Sequence, residues 1–207
     1  MRAIVLFLFA MSSFCGPAFA QPDLSAGERD YQVCAGCHGF VGEGNELVGA
    51  PRLAGVEPSY LERQIENFRA GRRGHVDGDV KGQRMATMAK AVANDRELTD
   101  LVAFIATLPA PERPASVDGD AARGQTLYAV CSACHGAEAA GNEALGAPGL
   151  VGLDDWYVVE QLAAYADGLR GVDPGDTYGA QMRALSATFA SDDDRRAIAA
   201  YIDSLKR

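Results

Sequence analysis

The chain is written twice. CAGCH at 34–38 returns as CSACH at 131–135, and at this offset of 97 residues the agreement runs on without a gap. Gly27, Tyr31 and Gly39 fall on Gly124, Tyr128 and Gly136, and Gly44-Asn45-Glu46 falls on Gly141-Asn142-Glu143. Gly49-Ala50-Pro51 matches Gly146-Ala147-Pro148, and Tyr60, Gln64, Gly71, Arg73 and Gly74 match Tyr157, Gln161, Gly168, Arg170 and Gly171. Gly82, Met85, Ile105 and Leu108 then meet Gly179, Met182, Ile202 and Leu205. A gap-free repeat of this length restricts the chain to two copies of one small domain, each of about 90 residues. The expected bounds are 21–109 and 121–207, with 110–120 as the connection. Three prolines and small polar residues in 109–120 suit a semi-extended linker there.

The remaining residues, 1–20, have a basic start at Arg2, an apolar run over 3–11 and small residues at Ala18-Phe19-Ala20. The run is too short to span a bilayer, so it reads as a secretory signal peptide cleaved after Ala20 rather than as an anchor. No later segment is apolar enough to span a membrane. The expected product is therefore exported and periplasmic. Cys15 leaves with the leader, and Cys34, Cys37, Cys131 and Cys134 remain. Four cysteines in an exported chain ordinarily mean two disulfides, but here each pair is followed by a histidine.

Each copy reads as short helices between Gly-rich loops, an all-α pattern with little strand alternation. Ser25-x-x-Glu28 is expected to open the first helix as a capping box, and Asn94 with Glu97 to open the last, which Pro109 stops. Leu61, Ile65 and Phe68 share one face of a middle helix, with Gly71 as its C-terminal cap. Domains this small bury limited apolar area and usually need a staple or a cofactor.

C-x-x-C-H is the attachment motif of c-type haem. Two thiols one helical turn apart can each add to a vinyl group of one porphyrin, and the adjacent His then reaches the iron. A zinc site built from four thiols, or paired disulfides, would leave both histidines and both methionines without a role. For a sixth iron ligand the first copy offers Met85 and Met88. Met85 falls on Met182, each 51 residues after the first Cys of its motif, whereas Met88 falls on Leu185. A ligand cannot be exchanged for Leu, so Met85 and Met182 are the expected ligands and Met88 is expected to pack. His/Met coordination saturates the iron and raises its potential, which favours electron transfer over catalysis.

On these motifs the mature chain, over residues 22–207, resembles the two-domain class I cytochromes c, closest to the cytochrome c4 type. The resemblance implies two tandem domains, each a few short helices wrapped around one covalently bound haem, and so two haem c groups. It implies thioethers at Cys34, Cys37, Cys131 and Cys134, and iron ligation by His38, Met85, His135 and Met182. It also implies that the carbonyls of Pro51 and Pro148 accept a bond from the proximal imidazoles. Gly27 and Tyr31 would cross Leu101 and Phe104, as Gly124 and Tyr128 would cross Ile198 and Tyr201. The stretches after each Met look more like cytochrome c domains attached to oxidases.

Four residues stay open at this level. Arg73 and Arg170 either neutralise haem propionates or are solvated. His75, whose counterpart is Val172, reads as an exposed loop residue or a stand-in ligand. Trp156, whose counterpart is Ser59, reads as packing or as an electron relay.

The formal net charge of -9 argues against nucleic acid and against an anionic membrane surface. Residues 21–110 carry 10 basic and 13 acidic side chains, and residues 111–207 carry 8 and 15. The acidic second half either steers docking or simply maintains solubility. The function expected is a soluble di-haem carrier between a quinol-oxidising complex or dehydrogenase and a terminal oxidase. The alternatives are an electron-accepting subunit of an oxidoreductase complex, for example a flavin-dependent sulfide dehydrogenase, and a di-haem peroxidase.

Overall fold

The computed structural model describes residues 21–110, 112–189 and 191–206; the leader expected over 1–20 lies outside them. The described residues are helical, and the only β-type pairing among them is two isolated bridges, Asn45 with Ala50 and Asn142 with Ala147. The first domain contains α1 (Leu24–His38), α2 (Pro58–Arg69), α3 (Val80–Ala89) and α4 (Asp95–Ile105). The second contains α5 (Ala121–Tyr128), α6 (Ser132–His135), α7 (Asp155–Ala166), α8 (Thr177–Ser186) and α9 (Asp192–Ser204).

The cap of α1 corrects the sequence expectation. Asp23, not Ser25, is the N-cap, and its carboxylate accepts from the amides of Ser25 and Ala26. Asp120 caps α5 in the same way through Ala122 and Arg123. The repeat itself carried this signal, because Asp23 falls on Asp120 while Ser25 falls on Ala122. At α4 the expected box forms: the Asn94 side chain accepts from the Glu97 amide, and the Glu97 carboxylate accepts from Ala93 N. Ser191 caps α9 through Asp194 N.

Each domain is organised by its first helix crossing its last. At Gly27 a Cβ would lie 2.1 Å from the Asp100 carbonyl oxygen, and at Gly124 one would lie 1.9 Å from that of Ala197. Only glycine lets the two backbones approach so closely. Beside the crossings, the Tyr31 and Phe104 rings stand 5.5 Å apart, and those of Tyr128 and Tyr201 5.3 Å apart. Leu101, Ile105, Ile198 and Ile202 complete the seams, each at most 2% exposed.

The two domains pack against each other with their copies exchanged. Asp154 accepts from Arg52 N at 2.9 Å, and Glu57 accepts from Gly149 N at 2.9 Å; 52 with 149 and 57 with 154 are repeat mates. Lys81 forms an ion pair with Glu160. At the mated positions, Arg63 donates to the Gly146 carbonyl at 2.7 Å and lies over the Tyr178 ring at 4.6 Å.

Residues 112–120 carry no regular secondary structure and are strapped to the second domain. The Asp155 carboxylate accepts from Ser116 N and Oγ, both at 2.7 Å, and from Val117 N at 2.8 Å. Burial opposes ionisation of Asp155, but these bonds outweigh it and hold its pKa below the usual carboxylate value. A depressed folded-state pKa gives stability that is fully present above the unfolded pKa, near 4, and lost as pH falls through the folded value. Asp155→Asn would turn an amide NH2 toward donors and is expected to cost about 1–3 kcal/mol at neutral pH. Urea unfolding followed from pH 7 to pH 3 should show this loss and a flatter acid limb than in the parent.

Candidate functional site

The end of α1 brings Cys34, Cys37 and His38 to one helical turn. His38 is buried, and its Nδ1–H donates to the Pro51 carbonyl at 2.6 Å. In the second domain His135 is likewise buried and donates to the Pro148 carbonyl at 2.8 Å. Burial lowers both imidazole pKa values, against the opposing effect of the proline carbonyls, so the rings stay neutral. With Nδ1 committed, Nε2 is the nitrogen left with a lone pair for a metal. The turn after each motif is tied back by a tyrosine: Tyr31 donates to Gly39 O at 2.6 Å and Tyr128 to Gly136 O at 2.8 Å. Burial pushes the Tyr31 phenol up to about 12, so it remains a donor.

These residues line a cavity in each domain. In the first it has two lobes, both lined by Cys34, His38, Pro51, Ile65, Leu101 and Met85, the last from α3. Cys37 and Met88 line only one lobe, and Met88 is 41% exposed. Met88 is thus a rim residue rather than the packed core residue expected. The second cavity is lined by Cys131, Cys134, His135, Pro148 and Met182, with Leu185 where the first domain has Met88. The structure therefore brings together, in each domain, two thiols, one imidazole and one thioether around an apolar space.

The donor set fits a covalently held porphyrin better than the other chemistries. All four thiols are free, and burial pushes those of Cys34 and Cys131 up to about 11, which keeps them from being ready thiolates. The two cysteine pairs belong to separate domains, and among the described residues no three His, Cys, Asp or Glu side chains converge as a metal site would require.

Arg73 and Arg170 settle into neither simple role. Both are buried, at 8% and 3% exposure, where the domains meet. Arg73 donates to Gln64 at 2.8 Å in its own domain, then across to Gln161 at 2.9 Å and Tyr157 at 3.2 Å. Arg170 donates to Gln161 at 2.6 Å, then across to Gln64 at 2.7 Å and Tyr60 at 3.1 Å. Among the described residues no carboxylate pairs with either guanidinium, and Arg170 Nε has no hydrogen-bond partner. Both arginines line the first cavity's inner lobe, and Arg170 lines the second cavity as well. Two buried cations with neutral acceptors only are short of an anion, and a carboxylate-bearing group within the cavities would answer them.

The roles of Tyr60, Gln64, Tyr157 and Gln161 were missed from sequence. The available signal was that polar identities recur on a helix face that also carries Leu61 and Ile65. His75 is exposed, and Trp156 is buried, edge-on to Tyr157 at 5.9 Å. No described helix is long and apolar enough to cross a membrane.

The chain is similar to known proteins along its length. The profile of the family described as Cytochrome c matches residues 24–109 and again 121–206. Cytochrome c4 of Pseudomonas aeruginosa is 40% identical over 216 aligned residues, covering 99% of this chain and 100% of that one. A thiosulfate dehydrogenase electron acceptor of Stutzerimonas stutzeri is 33% identical, covering 82% of this chain and 77% of that protein. Among solved structures, thiosulfate dehydrogenase (TsdBA) from Marichromatium purpuratum superposes with a TM-score of 0.68 at 32% identity. It covers 87% of this chain, which spans 40% of that longer one.

Proposed function

Since the chain belongs to the cytochrome c family, we propose that Cys34 and Cys37 in the first domain, and Cys131 and Cys134 in the second, each hold one haem by thioethers. His38 and Met85 would ligate the iron in the first domain, and His135 and Met182 in the second. The family membership and the full-length cytochrome c4 relatives make the protein a di-haem electron carrier and not an enzyme. Each haem, when bound, supplies a one-electron iron couple. The chain's own residues do the rest. The bond from Nδ1 to Pro51 or Pro148 orients each imidazole and increases its donor strength. The Met85 or Met182 thioether would occupy the remaining coordination position, leave none for substrate and favour the reduced state. The apolar walls keep water away, and Arg73 with Arg170 supplies the positive charge for the propionates.

The finer reading is an exported, periplasmic carrier, with domains 21–109 and 121–207 joined by 110–120. It takes electrons from a quinol-oxidising complex or a dehydrogenase and passes them to a terminal oxidase. The observation that carries the ligand assignment is the repeated bond from a buried imidazole to a proline carbonyl, in a cavity that also receives the one methionine shared by both copies. A second reading, an electron-accepting subunit of a dehydrogenase, is favoured by the similarity to a relative that bears an electron-acceptor name. A holoprotein that purifies as a monomer would weigh against that subunit role.

A redox titration with absorption spectra tests the assignment. Two low-spin centres are expected, each with the weak far-red absorption of a methionine-ligated ferric haem. Met85→Ala should abolish that absorption in one centre only, whereas Met88→Ala should leave both. The reverse pattern would move the ligand to Met88.

A further inference from the structure

Glu57 and Asp154 stand at the N-caps of α2 and α7, a place from which an acidic side chain can accept from the first free amides of its own helix. Neither does so. Each reaches into the other domain instead. Glu57 Oε2 accepts from Gly149 N and Asp154 Oδ2 from Arg52 N, both at 2.9 Å. The Arg52 N–H belongs to the same peptide group as the Pro51 carbonyl, which accepts from His38 Nδ1 at 2.6 Å. The Gly149 N–H likewise shares a peptide group with the Pro148 carbonyl, which accepts from His135 Nδ1 at 2.8 Å. Each domain thus contains a chain of imidazole, peptide and carboxylate, and the carboxylate comes from the other domain. Holding two domains together calls for contacts across their boundary. It does not call for both carboxylates to leave their helices uncapped and to select the one peptide that carries the imidazole.

We infer that Glu57 and Asp154 are positioning residues for electron transfer in the opposite domain, each acting through one peptide group on the imidazole that ligates the iron there. The inference rests on the reading of His38 and His135 as ligands and adds what sets their donor strength. A carboxylate at the N–H end of a peptide makes its carbonyl oxygen more negative, and hydrogen bonds in such a chain reinforce one another. The imidazole gains electron density, as it does from a direct carboxylate partner, and the oxidised iron is favoured. The two chains differ in charge. Asp154 is 5% exposed and also pairs with Arg113 at 3.3 Å, which offsets part of its charge. Glu57 has no ion pair among the described residues. Its charge is felt at the His135 ring, where it opposes the effect of burial. The chain onto His135 therefore carries the fuller negative charge.

Glu57→Gln keeps an oxygen for the Gly149 amide and removes the charge. At a fixed applied potential it should raise the ferrous-to-ferric ratio of the holoprotein about fivefold at the second haem and less than about twofold at the first. The far-red absorption that remains in a Met85→Ala background reports the second haem alone, and that in a Met182→Ala background the first. Asp154→Asn should raise the ratio at the first haem instead. Arg113→Gln leaves the Asp154 charge unpaired and should lower the ratio there, a reversal of sign that loosened packing would not produce. In reduced holoprotein labelled with 15N-histidine, Glu57→Gln should shift the Nδ1–H resonance of His135 and leave that of His38 in place. Equal changes at both haems in Glu57→Gln, a larger change at the first, or an unmoved His135 resonance would overturn the proposal. The ligand assignment is read separately in the parent protein: two far-red-absorbing low-spin centres there leave it standing whatever the Glu57 and Asp154 variants do.

Discussion

Gly124→Ala is expected to cost the second domain about 3 kcal/mol, at the upper end of the range for an overpacked contact, and to lower haem content from two per chain toward one. The added Cβ would stand 1.9 Å from the Ala197 carbonyl oxygen and 2.6 Å from its carbon. Both are backbone atoms of α9, so no side-chain rotation relieves the collision, and α5 must move away from α9. That movement pulls Tyr128 from Tyr201 and loosens the helix pair beside His135. Gly27→Ala should do the same to the first domain through Asp100. The control lies on the same helix: a Cβ at Gly36 meets nothing within 4 Å, and the second domain already carries Ala133 at that position. Gly36→Ala should therefore be neutral or slightly stabilising, by up to about 1 kcal/mol from helix propensity. Haem-to-protein ratio from alkaline pyridine spectra, with urea unfolding of each holoprotein, separates these outcomes. Equal haem content in Gly36→Ala and Gly124→Ala would contradict the crossing as the determinant.

The contrast between Gly36 and Gly124 marks how far the sequence could be read. The repeat singled out Gly27 and Gly124 and left Gly36 unmatched, and the structure gives that difference a backbone distance. The Asn94 and Ser191 caps were legible because capping is local. The first helix was misread for a similar reason: Ser25 satisfies a local pattern, yet Asp23 reaches the free amides first. The separation of α5 from α6 was not legible. Gln32 to Ala35 continue one helix in the first copy, whereas Ser132 in the second donates its hydroxyl to the Ala129 carbonyl at 2.7 Å, a bond that competes with the helical ladder.

The thiols, imidazoles and Met85/Met182 could be found because they are scarce residues at fixed spacing. Arg73 and Arg170 recur too, but arginine is ordinarily exposed. Their burial depends on the second domain closing over the first. No periodicity within either copy records that placement, because the acceptors Gln161 and Tyr157 lie about a whole repeat away from Arg73. Gln64 and Gln161 show the same limit: each reads as an odd polar residue on an apolar helix face until its cross-domain arginine is seen.

Arg73→Gln is accordingly expected to lower both reduction potentials rather than one. Its guanidinium spans the boundary, bonded to Gln64 on one side and to Gln161 and Tyr157 on the other, and it lies over the Phe68 ring at 4.4 Å. A buried positive charge favours the reduced iron, which carries one positive charge fewer than the oxidised form. Removing a unit charge at about 10 Å in an effective dielectric of about 20 is worth roughly 1.7 kcal/mol, or about 70 mV for one electron. A solvated arginine would shift neither potential measurably. Arg170→Gln should act similarly, and with both replaced the interface loses four donor bonds across the boundary as well as its charge. Arg73→Lys separates the two contributions. Lysine keeps the charge, so the potentials should stay near the parent values, but it cannot bridge Gln64, Gln161 and Tyr157 in one planar fork. Protease cleavage within 112–120 should then become faster while the titration is preserved. Spectroelectrochemical titration of these holoproteins reads the charge, and limited proteolysis reads the closure. Unchanged potentials in Arg73→Gln would mean that the two guanidiniums serve domain packing alone and that the propionates find their counter-charge elsewhere.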